Sequence, residues 1–371
     1  MAPKDILLFS DEFPPEGGGA GIVARQLAKG LRALGRKVEL LIGASKGSRA
    51  ADAETHTCRR FTLAWPFLYG WRLLRMRAWR YRHFVLNDYI AAYLAGLWFT
   101  PAMLRRSVVL VHGADGEFFF AKSSLKHRLF GYTRCYRRTL RHCGRVVAAS
   151  AYAMDTFLQH ASAHVDRERV GYAYMGIDPA DLGEPQGGDK AALGVPADAL
   201  LLFSASRLIE EKGLLDMLAL FDEARRTLPK LYWHIAGSGP LRGELEERIA
   251  RLGLQDHVRL LGQLPRDRLA RYYSQADVFW LLSKRKGETF GLVYTEAAWF
   301  GCPSIALRMA GVPEAIAEGV SGYFHEAGSD PARLIQMAAQ LDRDACRQHA
   351  QRFLSSAFAE HIHQLLSDPK P

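Results

Sequence analysis

Cysteine is scarce. Five cysteines are spread over 371 residues, with no Cys-x-x-Cys pair and no cluster with histidine. That excludes a disulfide-built scaffold and a zinc module, and leaves free thiols in a reducing compartment as the expectation. Long apolar runs are also missing. The longest stretch without a charged residue is Tyr89 to Leu104, interrupted by Gly96 and Pro101, short of the roughly 20 residues a bilayer span needs. The first apolar run, Ile6 to Phe9, is followed at once by Asp11 and Glu12, so no signal peptide is expected. Acidic residues are rare in one region. Residues 59–145 carry 17 Lys/Arg and three Asp/Glu, whereas residues 171–371 carry 22 and 26, within a chain of net charge +10. The basic excess therefore lies in the first half, which points to a polyanionic partner. With 49% hydrophobic and 24% charged residues, the composition is that of a globular protein and excludes disordered and fibrous classes.

What is present is alternation of strand-like and helix-like segments. In the first half the expected strands are Asp5–Phe9, Lys37–Ile42, Phe84–Leu86, Ser107–Val111, Arg145–Ala149 and Arg169–Tyr174. Between the first two, Ala20–Leu34 places Ile22, Val23, Leu27 and Leu31 at helical spacing. A Gly/Pro-rich break follows at 176–199. The second half repeats the pattern, with strands at Leu200–Ala205, Leu231–Ala236, Val258–Leu261, Val278–Leu281 and Ser304–Ala306 and two strandless helical stretches near the end. This predicts an α/β protein of two Rossmann-like domains facing a cleft, with ligands at the carboxyl ends of the strands. The expected division is 1–175, a linker at 176–199, a second domain at 200–350, and a helix at 351–371.

Chemistry-bearing residues gather where strands should end. Arg207 and Lys212 bracket the loop after Leu200–Ala205, just before a helix. Two cations and a helix N-terminus suit an anion; salt bridges with Glu210 and Glu211 explain them equally well. Gly237-Ser238-Gly239-Pro240 follows the next strand and allows close backbone approach to a ligand, or is a plain turn. Glu288 and Glu296 lie eight residues apart around Phe290, Gly291 and Leu292. A loop carboxylate suits sugar hydroxyls, one inside the helix suits a ribose diol, and free N–H groups at Gly291 and Leu292 suit a diphosphate. In the first half, Gly17, Gly18 and Gly19 open a helix but miss the dinucleotide fingerprint, whose third glycine position is Ile22. His112 follows an apolar strand and precedes Gly113.

Taken in order, these motifs resemble the GT-B glycosyltransferases of retaining family 4 over nearly the whole chain. The matching residues are Pro14-Pro15-x-Gly17-Gly18, His112, Ser206-Arg207 with Lys212-Gly213, Gly237 to Pro240, Leu261-Gly262, the Glu288/Glu296 pair with Phe290-Gly291, and Gly311-Val312-Pro313-Glu314. The resemblance implies catalytic roles for His112, Arg207, Lys212 and Glu288. It implies donor contacts from Gly18, Gly19, Gly237, Leu264, Phe290, Gly291, Leu292 and Glu296, the last on the ribose. It implies transfer from a nucleotide-diphosphate sugar, UDP favoured over GDP, with no metal or other cofactor, and a final helix crossing back to the first domain. The Asp342-Arg343-Asp344 triplet lies in a late helical stretch, away from any strand end. Met175, Arg308 and Ala310 depart from the family pattern, Ala310 standing where glycine is usual. An epimerase or glycosyl phosphorylase of the same fold, or a non-catalytic membrane scaffold, are the alternatives.

The basic region has its own pattern. Phe67, Trp71, Leu74, Ala78 and Tyr81 fall on one face of a helix, with Arg72, Arg77, Arg80 and Arg82 off it. A second basic run contains Lys122, Lys126, Arg128, Arg134, Arg137, Arg138 and Arg141. This reads either as a core-packed stripe with solvated arginines, or as a surface for anionic lipid or a phosphate-bearing acceptor. Nucleic-acid motifs are absent from the sequence. The expectation is a cytoplasmic enzyme, peripheral on the inner face of the membrane, acting on a glycan or lipid-linked acceptor in envelope polysaccharide or lipopolysaccharide synthesis. Arg72, Arg77, Arg80, Arg134, Arg137 and Arg138 are its candidate acceptor or membrane contacts.

Overall fold

The computed structural model describes residues 4–14, 19–44, 54–59, 64–113, 115–121, 129–185, 187–285 and 287–368. The chain forms two compact units, residues 1–176 with 355–371, and residues 177–354.

The first unit holds a seven-stranded sheet: β1 Lys4–Ser10, β2 Val38–Ala44, β3 Thr55–Arg59, β4 Tyr81–Leu86, β5 Ser107–Val111, β6 Arg145–Ala148 and β7 Val170–Tyr172. Their order is β3-β2-β1-β4-β5-β6-β7, all pairs parallel. Parallel sheets are covered on both faces, so their strands are continuous apolar runs. Ile6 to Phe9 and Val109 to Val111 are accordingly fully buried. The helix Gly19–Ala33 turns Val23, Leu27 and Leu31 inward. The last helix, Ser355–Ser367, lies against it so closely that a Cβ on Gly30 would stand 2.5 Å from that of Ala359.

The second unit holds a six-stranded parallel sheet: β8 Leu200–Ala205, β9 Leu231–Ala236, β10 Val258–Gly262, β11 Val278–Leu281, β12 Ser304–Leu307 and β13 Gly322–His325. Their order is β10-β9-β8-β11-β12-β13. Trp233 and Trp280 pack in its core, and Ser204 ties them: Trp233 Nε1 donates to Ser204 Oγ at 2.9 Å, and that hydroxyl donates to the Trp280 carbonyl. In each unit the order reverses beside the first strand, between β1 and β4 and between β8 and β11. Such switch points open the crevice where doubly wound sheets bind ligands.

Three sequence expectations change. Residues 177–199 group with the second unit. Ile177 N–H donates to the Phe353 carbonyl at 2.7 Å, and Lys190 pairs with Asp277 at 2.7 Å. The final stretch is two helices, Arg343–Ala350 and Ser355–Ser367, broken at Gln351–Phe353. The basic stripe is not one helix. Helix Trp65–Arg75 ends at Met76, Arg77 takes a left-handed φ of 54°, a short turn follows, and Tyr81 begins β4.

Candidate active site

In the second unit the switch point lies between the loops that follow β8 and β11. The β8 loop winds through a single turn, Glu210–Lys212, into Gly213, whose φ of 72° is left-handed. A Cβ there would stand 2.5 Å from the Leu282 carbonyl, so glycine lets the β8 loop lie against the β11 loop. That approach carries Lys212 to Glu288: Nζ donates to Oε2 at 2.6 Å, in a largely buried pair. Ser283 Oγ, also buried, lies 3.5 Å from the same carboxylate oxygen. Arg207 is exposed and has no ion pair among the described residues. Neither cation is bound to Glu210 or Glu211, so the internal salt-bridge explanation falls away.

Gly291, with φ 90°, precedes helix Leu292–Trp299, whose N-terminus has no side-chain cap. The N–H groups of Leu292 and Val293 are thus open to an acceptor, while Tyr294 N–H donates to the Gly291 carbonyl at 3.0 Å. Glu296 sits one turn in. Tyr273 Oη donates to its Oε2 at 3.4 Å, and burial pushes its carboxyl above the usual range against the pull of Arg266. Leu264 lies two residues past β10, half-buried.

Gly237 and Phe290, both expected at the donor, have structural contacts of their own. A Cβ on Gly237 would stand 1.8 Å from the Ser206 carbonyl, so its smallness is demanded by the protein's own backbone. Phe290 is a core side chain, edge-on to Phe353 at 5.2 Å. It anchors the loop between β11 and helix Leu292–Trp299. Ala310 has a φ of 52°, so the position usual for glycine in the family keeps the backbone conformation that favours glycine. Asp342 caps helix Arg343–Ala350 by accepting from Asp344 N–H at 2.8 Å.

The first unit's switch point is built on Asn87 and Asp88, which the sequence reading missed. Asp88 Oδ2 accepts from Ser10 Oγ at 3.0 Å and from the N–H groups of Asp11 and Glu12 at 2.6 and 3.3 Å, while Oδ1 caps helix Tyr89–Trp98 at Ala91 N–H, 2.8 Å away. Asn87 Nδ2 donates to Ser10 Oγ and to the Ala20 carbonyl, both at 2.9 Å. This lashes β4 to the loop and helix after β1. His112 joins the same cluster, with Nε2 donating to the Asn87 carbonyl at 2.6 Å. A carbonyl only accepts, so that nitrogen carries the proton. Asp115, buried, accepts from Gly113 N–H at 3.0 Å. The available signal was a polar pair directly after an apolar strand. Gly18 lies outside the described residues. Gly19 begins the helix, and a Cβ there would meet nothing within 4 Å.

The basic surface divides. Helix Trp65–Arg75 buries Pro66, Tyr69, Gly70 and Leu73. Gly70 is required because a Cβ would stand 2.6 Å from the Trp98 ring. The stripe that periodicity assigned to one face is therefore partly the outer face. Phe67, Trp71, Leu74 and Trp79 are 66, 53, 62 and 54% exposed, whereas Ala78 and Tyr81 are buried. Arg75 stacks on Trp71 at 4.7 Å, and Arg77 is exposed beside them, with Arg72 and Arg80 half-buried. In helix Tyr132–His142, Arg138 instead donates to the carbonyls of Gly96 and Phe99 at 2.6 and 2.8 Å, a structural role. Arg134 is exposed and Arg137 half-buried. Lys122, Lys126 and Arg128 lie outside the described residues.

Fold and motifs together define a GT-B protein. Residues 17–181 match the family described as Glycosyltransferase Family 4, and residues 187–360 match Glycosyl transferases group 1. The chain belongs to the family 4 glycosyltransferases. It is 30% identical over 179 residues to the GDP-mannose-dependent alpha-(1-6)-phosphatidylinositol monomannoside mannosyltransferase of Mycolicibacterium smegmatis, covering 47% of this chain and 44% of that protein. It is 29% identical over 228 residues to the D-inositol 3-phosphate glycosyltransferase of Streptomyces avermitilis, covering 56% and 48%. The chain thus spans about half the length of these curated relatives. Among solved structures, Anabaena HepE in complex with UDP superposes with a TM-score of 0.75 over 98% of this chain and 99% of that one, at 22% identity.

Proposed function

We propose that the protein is a retaining, metal-independent glycosyltransferase that takes a sugar from a nucleotide-diphosphate donor, UDP-linked or GDP-linked, with the UDP sugar favoured. The observation that carries this reading is the Lys212–Glu288 pair across the β8/β11 switch point, beside the exposed Arg207 and the uncapped helix at Leu292. Breaking a glycosyl–phosphate bond builds negative charge on the leaving phosphate. Preorganised cations and helix N–H groups stabilise that charge without reorganising. In this reading Arg207 and Lys212 hold the diphosphate, and Gly19 approaches it. Glu288, already oriented by Lys212, takes donor-sugar hydroxyls, and Glu296 the ribose. His112, held by Asn87, lies beside the transferred sugar, and the leaving phosphate accepts the acceptor's proton on the same face. No protein nucleophile is needed.

The acceptor in this reading is a glycan or lipid-linked molecule bearing phosphate, in envelope polysaccharide or lipopolysaccharide synthesis. The two curated relatives support the phosphate, since their names contain a phosphatidylinositol monomannoside and an inositol 3-phosphate. The exposed Phe67, Trp71, Leu74 and Trp79 among Arg72, Arg75, Arg77 and Arg80 support a peripheral position on an anionic membrane, the inner face of the cytoplasmic membrane. Each arginine near such a surface contributes about 1 kcal/mol. Each inserted aromatic or leucine adds about 1.5–3 kcal/mol when fully withdrawn from water.

The test is a screen of UDP- and GDP-sugars in the presence of EDTA, reading release of nucleoside diphosphate. Release that requires an added lipid-linked acceptor is expected. Acceptor-independent release points instead to an epimerase-like chemistry. Phosphate-dependent release of sugar phosphate points to a phosphorylase. The absence of any nucleotide binding points to a scaffold.

A further inference from the structure

At the amino ends of β4, β5 and β6, the sheet edge opposite the one that carries His112, an open cavity of about 330 Å³ holds four arginines. Arg82 comes from β4, Arg105 and Arg106 from the end of helix Pro101–Arg105, and Arg145 from the start of β6. The floor is apolar, Val108 with Leu365 and Leu366 of the last helix, and among the described residues Asp368 is the one carboxylate on the rim. Among the described residues none of the four arginines forms an ion pair. Arg106 is fixed by donating from Nε to the Ala102 carbonyl at 3.1 Å and from Nη1 to the Tyr81 carbonyl at 2.8 Å; Arg145 Nη1 donates to the Gly144 carbonyl at 3.2 Å. Arg82 and Arg105 make no hydrogen bond among the described residues, and both are exposed. His83 lines the same cavity. Burial, and then the charges of Arg36, Arg106 and Arg82, hold its imidazole below the usual range against the opposing pull of Asp5.

Four clustered guanidinium groups repel one another, and a lone carboxylate at the rim leaves most of that charge uncompensated. Planar guanidinium forks match the oxygens of a phosphate. The space is that of a small-molecule pocket. We infer that Arg82, Arg105, Arg106 and Arg145 form a phosphate-binding site, separate from the proposed reaction site, that takes the phosphate or diphosphate group of a small ligand. An occupant there bridges the sheet edge to the Leu365–Asp368 end of the last helix.

The experiment titrates inorganic phosphate and pyrophosphate into the full-length Lys212→Ala protein, whose proposed donor site is disabled, by calorimetry at low salt. The same titration follows on a protein that also carries Arg82→Ala and Arg105→Ala, two exposed positions, with circular dichroism as the check that the fold is intact. Saturable pyrophosphate binding that weakens at least tenfold on the added substitutions is expected. Binding that ignores them, or no saturable binding in the Lys212→Ala protein, overturns the inference. Vesicles containing phosphatidic acid identify the source. Vesicle binding that pyrophosphate displaces, and that the two substitutions abolish, assigns the site to a lipid phosphate. Vesicle binding indifferent to both, with saturable pyrophosphate binding retained, assigns it to a soluble one. Neither result depends on glycosyl transfer.

Discussion

Lys212 and Glu288 stand 76 residues apart in sequence and 2.6 Å apart in space. They meet because β8 and β11 are neighbours in a sheet whose strand order reverses between them. In the proposed reaction the pair has two uses: the carboxylate is oriented before a sugar arrives, and the ammonium is positioned before a phosphate does. Lys212→Ala is expected to lower kcat by roughly 10²–10³, the usual cost of removing one preorganised charge donor. Glu288→Gln is expected to raise KM for the donor as well, because Lys212 loses its anchor. Steady-state kinetics on folded variants decide, and near-normal turnover in both refutes the assigned roles.

The outer face of helix Trp65–Arg75 gives a separable prediction. Phe67→Ser, Trp71→Ser and Leu74→Ser together change only exposed side chains. Co-sedimentation with anionic vesicles is expected to fall more than tenfold, while turnover of a water-soluble acceptor stays within about twofold, given the ~1.5–3 kcal/mol that each apolar side chain contributes on burial. Intrinsic fluorescence of the wild type should shift to the blue on vesicle addition as Trp71 and Trp79 leave water. Unchanged fluorescence with salt-reversible binding would show that charge alone does the docking.

Ala310 carries a left-handed backbone, φ 52°, next to Gly311, where a Cβ would stand 1.9 Å from the Thr289 carbonyl. A non-glycine residue in that region costs about 1–2 kcal/mol, partly offset by the greater chain entropy of glycine when unfolded. Ala310→Gly should therefore raise stability by up to about 1 kcal/mol, seen as a higher urea midpoint. Gly311→Ala should be severely destabilising by the same assay.

Asp5 accepts from Arg36 Nε and Nη2, both at 2.8 Å, and from Lys37 N–H at 3.1 Å. The Arg36 hydrogen bonds, opposed by burial, hold its carboxyl below the ordinary 3.8. The folded state then binds this proton less readily than the unfolded chain. The stabilisation is complete above the unfolded value and is lost as pH falls through the lower folded one. Asp5→Asn should flatten the acid side of the stability curve below about pH 4 and leave little pH dependence from this site. A parallel acid limb in both proteins would assign the loss to other carboxylates.

Legibility followed local chemistry. Strands such as Ile6–Phe9 and Val108–Val111 announced themselves because a parallel sheet buries both faces. Two of the four edge strands did not: β3 reads Thr-His-Thr-Cys-Arg and β13 opens on glycine, whereas the edges β7 and β10 were read from Arg169–Tyr174 and Val258–Leu261. The Arg207, Lys212, Glu288 and Glu296 positions were visible because strand ends and spacing are local. The contact of Lys212 with Glu288 was not, since only strand order creates it. Asn87 and Asp88 resembled ordinary loop residues, although Asp88 accepts from three backbone N–H groups. The stripe from Phe67 to Tyr81 stayed open between core and surface because periodicity marks a face without saying which side is inside. Gly70, pressed on Trp98, fixes that orientation.

Ile177 and Leu354, the first and last residues of the second unit, are paired as neighbouring backbone segments. A segment whose two ends touch behaves as a cassette. Residues 177–354 can be lifted out and replaced by the equivalent stretch of another family member through two joins at one place, with the first unit, including its returning helix, left whole. Exchange of such cassettes offers a simple genetic route to new combinations of the Lys212–Glu288 site with an unchanged first unit.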